Sequence, residues 1–306
     1  MILQSAVEFK EAYELLVSAW AAAFAKQPGM LDLRRDWFNW CTAKLSGQNL
    51  ALLEEIRHME QAIPIALALN SPDSSAAGFA KWVGALSGEE AYDIIYSFDP
   101  NAQRKPPQAL RRACQILGKG LTMWYDQYFQ RIGPKICAEL ETSAESARAL
   151  GDKLQDRPQE LIKELTQSLI WEADDVTQVT LIPQAHLSPW PIYVIGGDHG
   201  VIFYPVSDSI LPKEDGTVRV ERVLKALADP SRLQLLRAIG RDTIRLTEAA
   251  EKSGLAKSTV HHHLVALRLA GLLWLHVSGD ASGRFSIRWE GVRNLSSQLE
   301  AALLGK

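Results

Sequence analysis

The residues best equipped for chemistry stand together in one run, KSTVHHH: Lys257, Ser258, Thr259, His261 and His262. An ammonium, two hydroxyls and two imidazoles at the start of a helix are hydrogen-bond partners for phosphate oxygens and base edges. The spacing supports that use. Val260, Leu264, Leu267 and Gly271 recur at intervals of four, three and four and form a core-facing stripe, which turns Ser258, His261, His262 and Val265 outward. Successive helical residues diverge by about 100°, so His261, His262 and His263 cannot converge on one metal ion. His263, at the edge of the apolar stripe, reads as a packed residue, and no metal ligand set is assigned.

The elements that must position this run are legible on both sides of it. Glu221 to Gly240 reads as a helix, a break at Asp229-Pro230 and a second helix that Asp229 caps and Gly240 ends. A short helix capped by Thr247 runs to Ser253, and Gly254 makes the turn into the helix that starts at Lys257 or Ser258. Leu273 to Val277 and Arg284 to Trp289 alternate as the strands of a hairpin wing, which puts Arg284 and, more weakly, Arg288 in reach of a nucleic-acid backbone. Val292, Leu295, Leu299 and Leu303 form the stripe of a terminal helix with little to pack on in a lone module, and pairing with a second copy is its natural use.

Taken together, LKALADPSRLQLLRAIG, the helix-turn-helix STVHHHLVALRLAGLL and the following wing resemble the winged-helix domain of the ArsR/SmtB repressors, over residues from about 221 to 305. The resemblance implies a homodimer with terminal helices at its interface, reading an inverted-repeat operator in double-stranded DNA, usually as a repressor. It departs from the metal-sensing members: LTEAAEKSG has no Cys pair, and VRNLSSQLEAALLG lacks the His and carboxylate ligands of the zinc sensors. Control is therefore expected from outside the module, without a metal and without a cofactor.

The 306 residues suit two domains. Residues 217–306 hold 14 Lys and Arg against 8 Asp and Glu, a balance of +6, whereas residues 1–216 stand at −9. Only the C-terminal part is suited to a polyanion. Helical stretches are predicted at 2–26, 31–45, 49–69, 75–86, 88–98, 107–130, 134–150 and 158–171, with breaks at Pro106-Pro107, Gly133-Pro134 and Arg157-Pro158. Strands follow at 176–183, 192–195 and 201–205. The string GGDHG, residues 196–200, resembles the metal-ligating GGDH segment of the arginase-like ureohydrolases, but their DxHxD string is absent and the segment reads as a hairpin turn. Trp20, Trp37, Trp40, Trp82, Trp124, Trp171 and Trp190 are core fillers or, alternatively, the lining of a ligand pocket. Cys41, Cys114 and Cys137, odd in number and widely spaced, argue against disulfides and for a reducing compartment.

The expected fold is mainly α with small β elements: a mostly helical domain with a short β-region over 1–206, a linker at 207–220 and a winged helix-turn-helix over 221–306. The expected function is sequence-specific transcriptional regulation by a cytoplasmic homodimer, governed through a non-metal N-terminal domain that receives a small-molecule effector or extends the dimer. With no nucleophile elbow, phosphate loop or paired metal motif, no catalytic residue is assigned; an enzyme or a protein-interaction domain fused to the DNA-binding module is the alternative. The start lacks the pattern of a signal peptide and no apolar run reaches a membrane span, so no membrane partner is expected.

Overall fold

A computed structural model describes residues 3–24, 28–155, 157–206, 211, 216–279 and 283–304. In chain order the elements are β1 (Gln4–Val7), α1 (Glu11–Ala23), α2 (Arg35–Lys44), α3 (Gly47–His58), α4 (Ala62–Leu69), α5 (Ala76–Ala85), α6 (Gly88–Phe98), α7 (Pro107–Trp124), α8 (Gln130–Leu154), α9 (Pro158–Thr166) and β2 (Leu169–Trp171). Then come β3 (Gln178–Gln184), β4 (Ile192–Gly196), β5 (His199–Pro205), α10 (Gly216–Leu227), α11 (Pro230–Ile239), β6 (Ile244–Arg245), α12 (Leu246–Ser253), α13 (Lys257–Leu269), β7 (Leu273–Val277), β8 (Arg284–Ile287), α14 (Trp289–Arg293) and α15 (Leu295–Leu303). The chain is mainly α with two small sheets. No helix among the described residues is long and apolar enough to cross a membrane.

The chain divides into two compact units, one of residues 1–158 and 176–212, the other of residues 159–175 and 213–306. The division departs from the expected one. Residues 159–175, expected within the N-terminal domain, belong to the C-terminal unit. Of the expected linker, residues 207–210 and 212–215 lie outside the described residues, and its end is already the first turn of α10.

In the first unit, helices surround a four-stranded sheet ordered β1-β3-β5-β4, parallel except for the β4–β5 hairpin. Every residue of β3 after Gln178 is buried, as befits a strand covered on both faces. The hairpin turns at Gly197, with φ of +57°, and Asp198, so the GGDHG segment is the expected tight turn. Its two metal-like groups are engaged within the sheet: Asp198 Oδ2 accepts from Thr177 Oγ1 at 2.9 Å, and the His199 ring meets Thr180 Oγ1 at 2.8 Å.

Four expectations for residues 1–171 are corrected. Residues 4–7 are a strand beside β3, too short to interrupt a helical pattern in the sequence. The helix expected over 49–69 breaks at Met59 and Glu60 into α3 and α4. Gly133-Pro134 does not end a helix: α7 runs through a π-helical turn at Tyr125–Phe129 into α8, with Pro134 inside. A proline ring crowds the carbonyl four residues back, and the wider turn immediately upstream supplies the slack. Finally, residues 158–171 are a helix followed by a strand. Gln167, at φ of +53°, makes the left-handed turn between them, and Leu169 N donates to Thr166 Oγ1 at 3.1 Å.

In the second unit, α10 to α13 enclose a core of Val223, Leu235, Ile239, Ile244, Val260, Leu264 and Leu267 against a sheet ordered β2-β7-β8-β6. β7 and β8 are the antiparallel wing and β2 adds to β7 in parallel, Leu169 opposite Leu275 and Trp171 opposite Val277. The wing tip, residues 280–282, lies outside the described residues.

Candidate nucleic-acid interface

Asp229 caps α11 by accepting from Ser231 N at 2.9 Å and Arg232 N at 3.1 Å, with Pro230 in the first turn, as expected. These backbone hydrogen bonds hold the Asp229 carboxyl below its usual range. The start of α12 differs in detail. The helix begins at Leu246, and Glu248 reaches back to Arg245 N at 3.1 Å, so Thr247 is not the cap. Gln234 on α11 donates to Ser253 O at 2.7 Å and ties down the end of α12. Gly254, in the left-handed region at φ of +67°, then turns the chain into α13.

On α13, Val260, Leu264 and Leu267 are buried, while Lys257, Ser258, His261 and His262 are exposed and Thr259 is half-buried. The N-cap residue is Ala256, which offers no side-chain acceptor to the first-turn N–H groups. Such an end presents backbone donors and the positive pole of the helix dipole to an anion. The rings of His261 and His262 splay, their centroids 6.0 Å apart and their planes at 79°. His263 is half-buried, as expected of a packing residue. Among the described residues no group of three His, Cys, Asp or Glu side chains is placed to hold a metal ion.

The wing arginines sit differently from the α13 side chains. Arg284 is ion-paired with the Glu172 carboxylate, just past β2. Glu172 also accepts from His276 Nδ1 at 2.7 Å, and His276 Nε2 meets Ser286 Oγ at 2.8 Å. Burial alone would raise the Glu172 pKa, but the hydrogen bond and charge of His276, together with Arg284, hold it below the usual carboxylate range. Arg288 donates to Gln167 Oε1 at 2.6 Å and its guanidinium lies 5.1 Å from the Trp274 ring centroid, with Lys163 Nζ 5.2 Å from the same ring. Reading 158–171 as one helix hid these partners; the apolar triplet LIW before an acidic turn was the available signal.

The four terminal leucine-stripe residues do not share one helix. Val292 is on α14, Asn294 separates it from α15, and Val292 and Leu295 pack on the core of their own unit. α15 lies on α10, so the terminal helix has an intrachain seat that the sequence reading did not foresee. Leu299 is half-buried, whereas Leu303 is 79% exposed, with Leu304 and Leu224 also exposed.

In the first unit Trp20, Trp37 and Trp124 are buried in the core, and Trp40, Trp82 and Trp190 are half-buried against it. Trp124 stacks on Tyr128 at 4.6 Å, and Trp37 meets Trp124, Tyr128 and Phe38 edge-on. A buried polar line crosses this cluster. Trp37 Nε1 donates to Tyr128 Oη at 2.9 Å, Tyr128 Oη meets His186 Nε2 at 2.8 Å, and His186 Nδ1 hydrogen-bonds the Glu14 carboxylate. Glu14 also accepts from Ala185 N and His186 N, each at 3.3 Å. The groups resemble a proton relay, but Glu14 and His186 are completely buried, so the line braces α1 against the segment after β3. One surface groove in this unit, of about 530 Å³, is bordered by Lys81, Gly84, Gly118, Lys119 and Thr122, with no tryptophan in its wall. All three cysteines are buried; burial pushes the Cys41 thiol up to about 12 and the Cys114 thiol to about 11 despite Arg111, which is unsuited to a reactive thiolate.

A comparison with known protein families finds a match within this same module. Residues 227–275 match a family described as a helix-turn-helix domain. A 66-residue stretch is 41% identical to the HTH-type transcriptional regulator NmtR of Mycobacterium tuberculosis, covering 22% of this chain and 52% of that protein. The chain thus spans about half the length of that curated relative. No solved structure matches the chain.

Proposed function

We propose that this chain is a DNA-binding transcriptional regulator whose winged helix-turn-helix, similar to those of the ArsR/SmtB repressors, reads an operator through α13. The observation that carries the reading is the exposed set Lys257, Ser258, His261 and His262 at an N-terminus that no side chain caps, held by the Gly254 turn. In this reading Lys257 and the free N–H groups take phosphate, Ser258 and Thr259 take phosphate or base, and His261 and His262 take purine edges. Arg284 and Arg288 are backbone contacts of the wing. The family match over residues 227–275 supports the assignment.

The active form is a cytoplasmic homodimer that represses by occupying an inverted repeat. Leu224 on α10, Leu299 and Leu303 on α15 and Leu304 just past it supply the apolar surface for pairing, together with Val292 and Leu295, which also pack on the core of their own unit. A two-fold dimer places its half-sites about 10 to 10.5 base pairs apart, centre to centre. The N-terminal unit supplies control, through a small-molecule effector or by extending the dimer, and its role does not require a metal.

The test is selection of bound duplexes from a random-sequence pool by the full chain, followed by gel shift with the double variant Ser258→Ala, His262→Ala. Binding to the selected duplex should weaken at least tenfold, since each good base contact is worth about 1–3 kcal/mol. Unchanged affinity would remove α13 from the interface, and selection of no motif would remove sequence-specific reading altogether.

A further inference from the structure

The segment that the fold moves from the N-terminal half into the C-terminal unit lies on the wing. β2 adds a strand to the wing sheet beside β7, and the acidic stretch after it, Glu172-Ala173-Asp174-Asp175, starts at the end of β7, Glu172 N donating to Val277 O at 2.8 Å. Glu172 is paired with Arg284 and with His276. Asp175 sits against Gly279, close to the wing tip, where an added Cβ would lie 2.5 Å from its Oδ1. Gln167 holds Arg288.

Both wing cations that the DNA reading assigns to phosphate are therefore occupied by one short stretch of the same chain. A carboxylate and a phosphate oxygen are alternative acceptors for one guanidinium, and the carboxylate charges beside it repel a DNA backbone. The pairing is not a loose surface contact. His276 is almost fully buried and Glu172 bridges it to Arg284, so the acidic turn is fixed by the sheet on one side and by the imidazole on the other.

We infer that residues 159–175 are an intrachain lock on the wing, in which Glu172 competes with DNA phosphate for Arg284. The inference rests on the DNA-reading function proposed above and assigns the regulation of that site. With the segment in place the protein reads through α13 alone, and displacing it adds the wing contacts. A signal received in the N-terminal half has a direct route to the wing, because the lock is a continuation of that half's sequence.

The experiment compares full-length wild type, Glu172→Gln, Arg284→Ala and the double variant Glu172→Gln, Arg284→Ala on a mixed-sequence 30-base-pair duplex over a range of salt concentrations. Glutamine keeps an acceptor for His276 and removes the charge. Glu172→Gln should bind about tenfold more tightly at low salt, with a log–log salt slope steeper by about one for each wing engaged. The gain should vanish in the double variant, which binds as Arg284→Ala does. Unchanged or weaker binding by Glu172→Gln with an unchanged slope would overturn the lock and leave the DNA reading intact, provided Ser258→Ala, His262→Ala still loses affinity. If wild type and Glu172→Gln both ignore duplex DNA at low salt, both readings fall. Should Glu172→Gln melt well below wild type, Asp175→Asn decides: it touches no strand pairing and should also tighten binding and steepen the slope, and no change would overturn the lock.

Discussion

Glu14 shows how much one side chain governs in the N-terminal unit. Its carboxylate satisfies two backbone N–H groups and the imidazole of His186, all out of reach of water. Glu14→Ala would strand all three donors, and at about 1–3 kcal/mol for each we expect a loss of about 3–5 kcal/mol in denaturant unfolding of the full chain followed by tryptophan fluorescence. Tyr128→Phe removes the middle hydroxyl and leaves the buried Trp37 indole N–H without its acceptor, which should cost about 1–3 kcal/mol. Glu172 adds a pH dependence. Its pKa is lower folded than unfolded, so its contribution is complete above the ordinary carboxylate range and is lost as pH falls through the lowered folded value. Between neutral pH and that value, thermal melting should show wild type losing more stability than Glu172→Gln, with the gap between them closing at the acid end. Neither role was legible from composition, because Glu14 reads as one more helical acid and Glu172 as the end of a helix; both depend on partners more than 100 residues away.

At the level of elements, two glycines separate backbone demand from packing demand. Gly254 holds φ of +67° with nothing within 4 Å of an added Cβ, so Gly254→Ala should cost only the left-handed conformation, about 1–2 kcal/mol. Gly118 on α7 crosses α5 at Gly84, and its Cβ would lie 2.4 Å from Gly84 Cα. Alanine there gains up to about 1 kcal/mol of helix propensity, but the backbone overlap outweighs it, and we expect a net loss of about 1–3 kcal/mol. Differential melting of the two variants checks the order. The helix-turn-helix was readable because its signals are local: a capping Asp-Pro, a turn glycine and a stripe at helical spacing. The π-helical turn and the uninterrupted passage through Pro134 were not, since local rules place a break at Gly133-Pro134 and give no sign of the wider turn upstream that accommodates the proline. β1 and β2, of four and three residues, carry too little pattern to announce a strand without the neighbours they pair with.

For the molecule as a whole, the charge division between the two halves of the sequence anticipated where the nucleic-acid module lies, and the helix-turn-helix match agrees. It did not anticipate that an acidic stretch of the N-terminal half joins the basic module, because net charge over a segment carries no information about long-range strand pairing. The parallel addition of β2 to β7 also bears on the order in which the protein can be made. Leu169 leaves the ribosome about 100 residues before its partner Leu275, and closing a loop of that length is an entropic cost met late. Until β7 arrives, β2 has no sheet to join, and a protein cut near residue 212 leaves each piece with half of a strand pair. The N-terminal fragment would carry LIW as an unpaired apolar segment ahead of β3, and the C-terminal fragment would expose β7 as a bare edge, the kind of edge that recruits other chains. Dividing the protein at its apparent linker should therefore yield aggregation-prone pieces, whereas co-expressing residues 1–212 with 213–306 should restore solubility as each supplies the strand the other lacks.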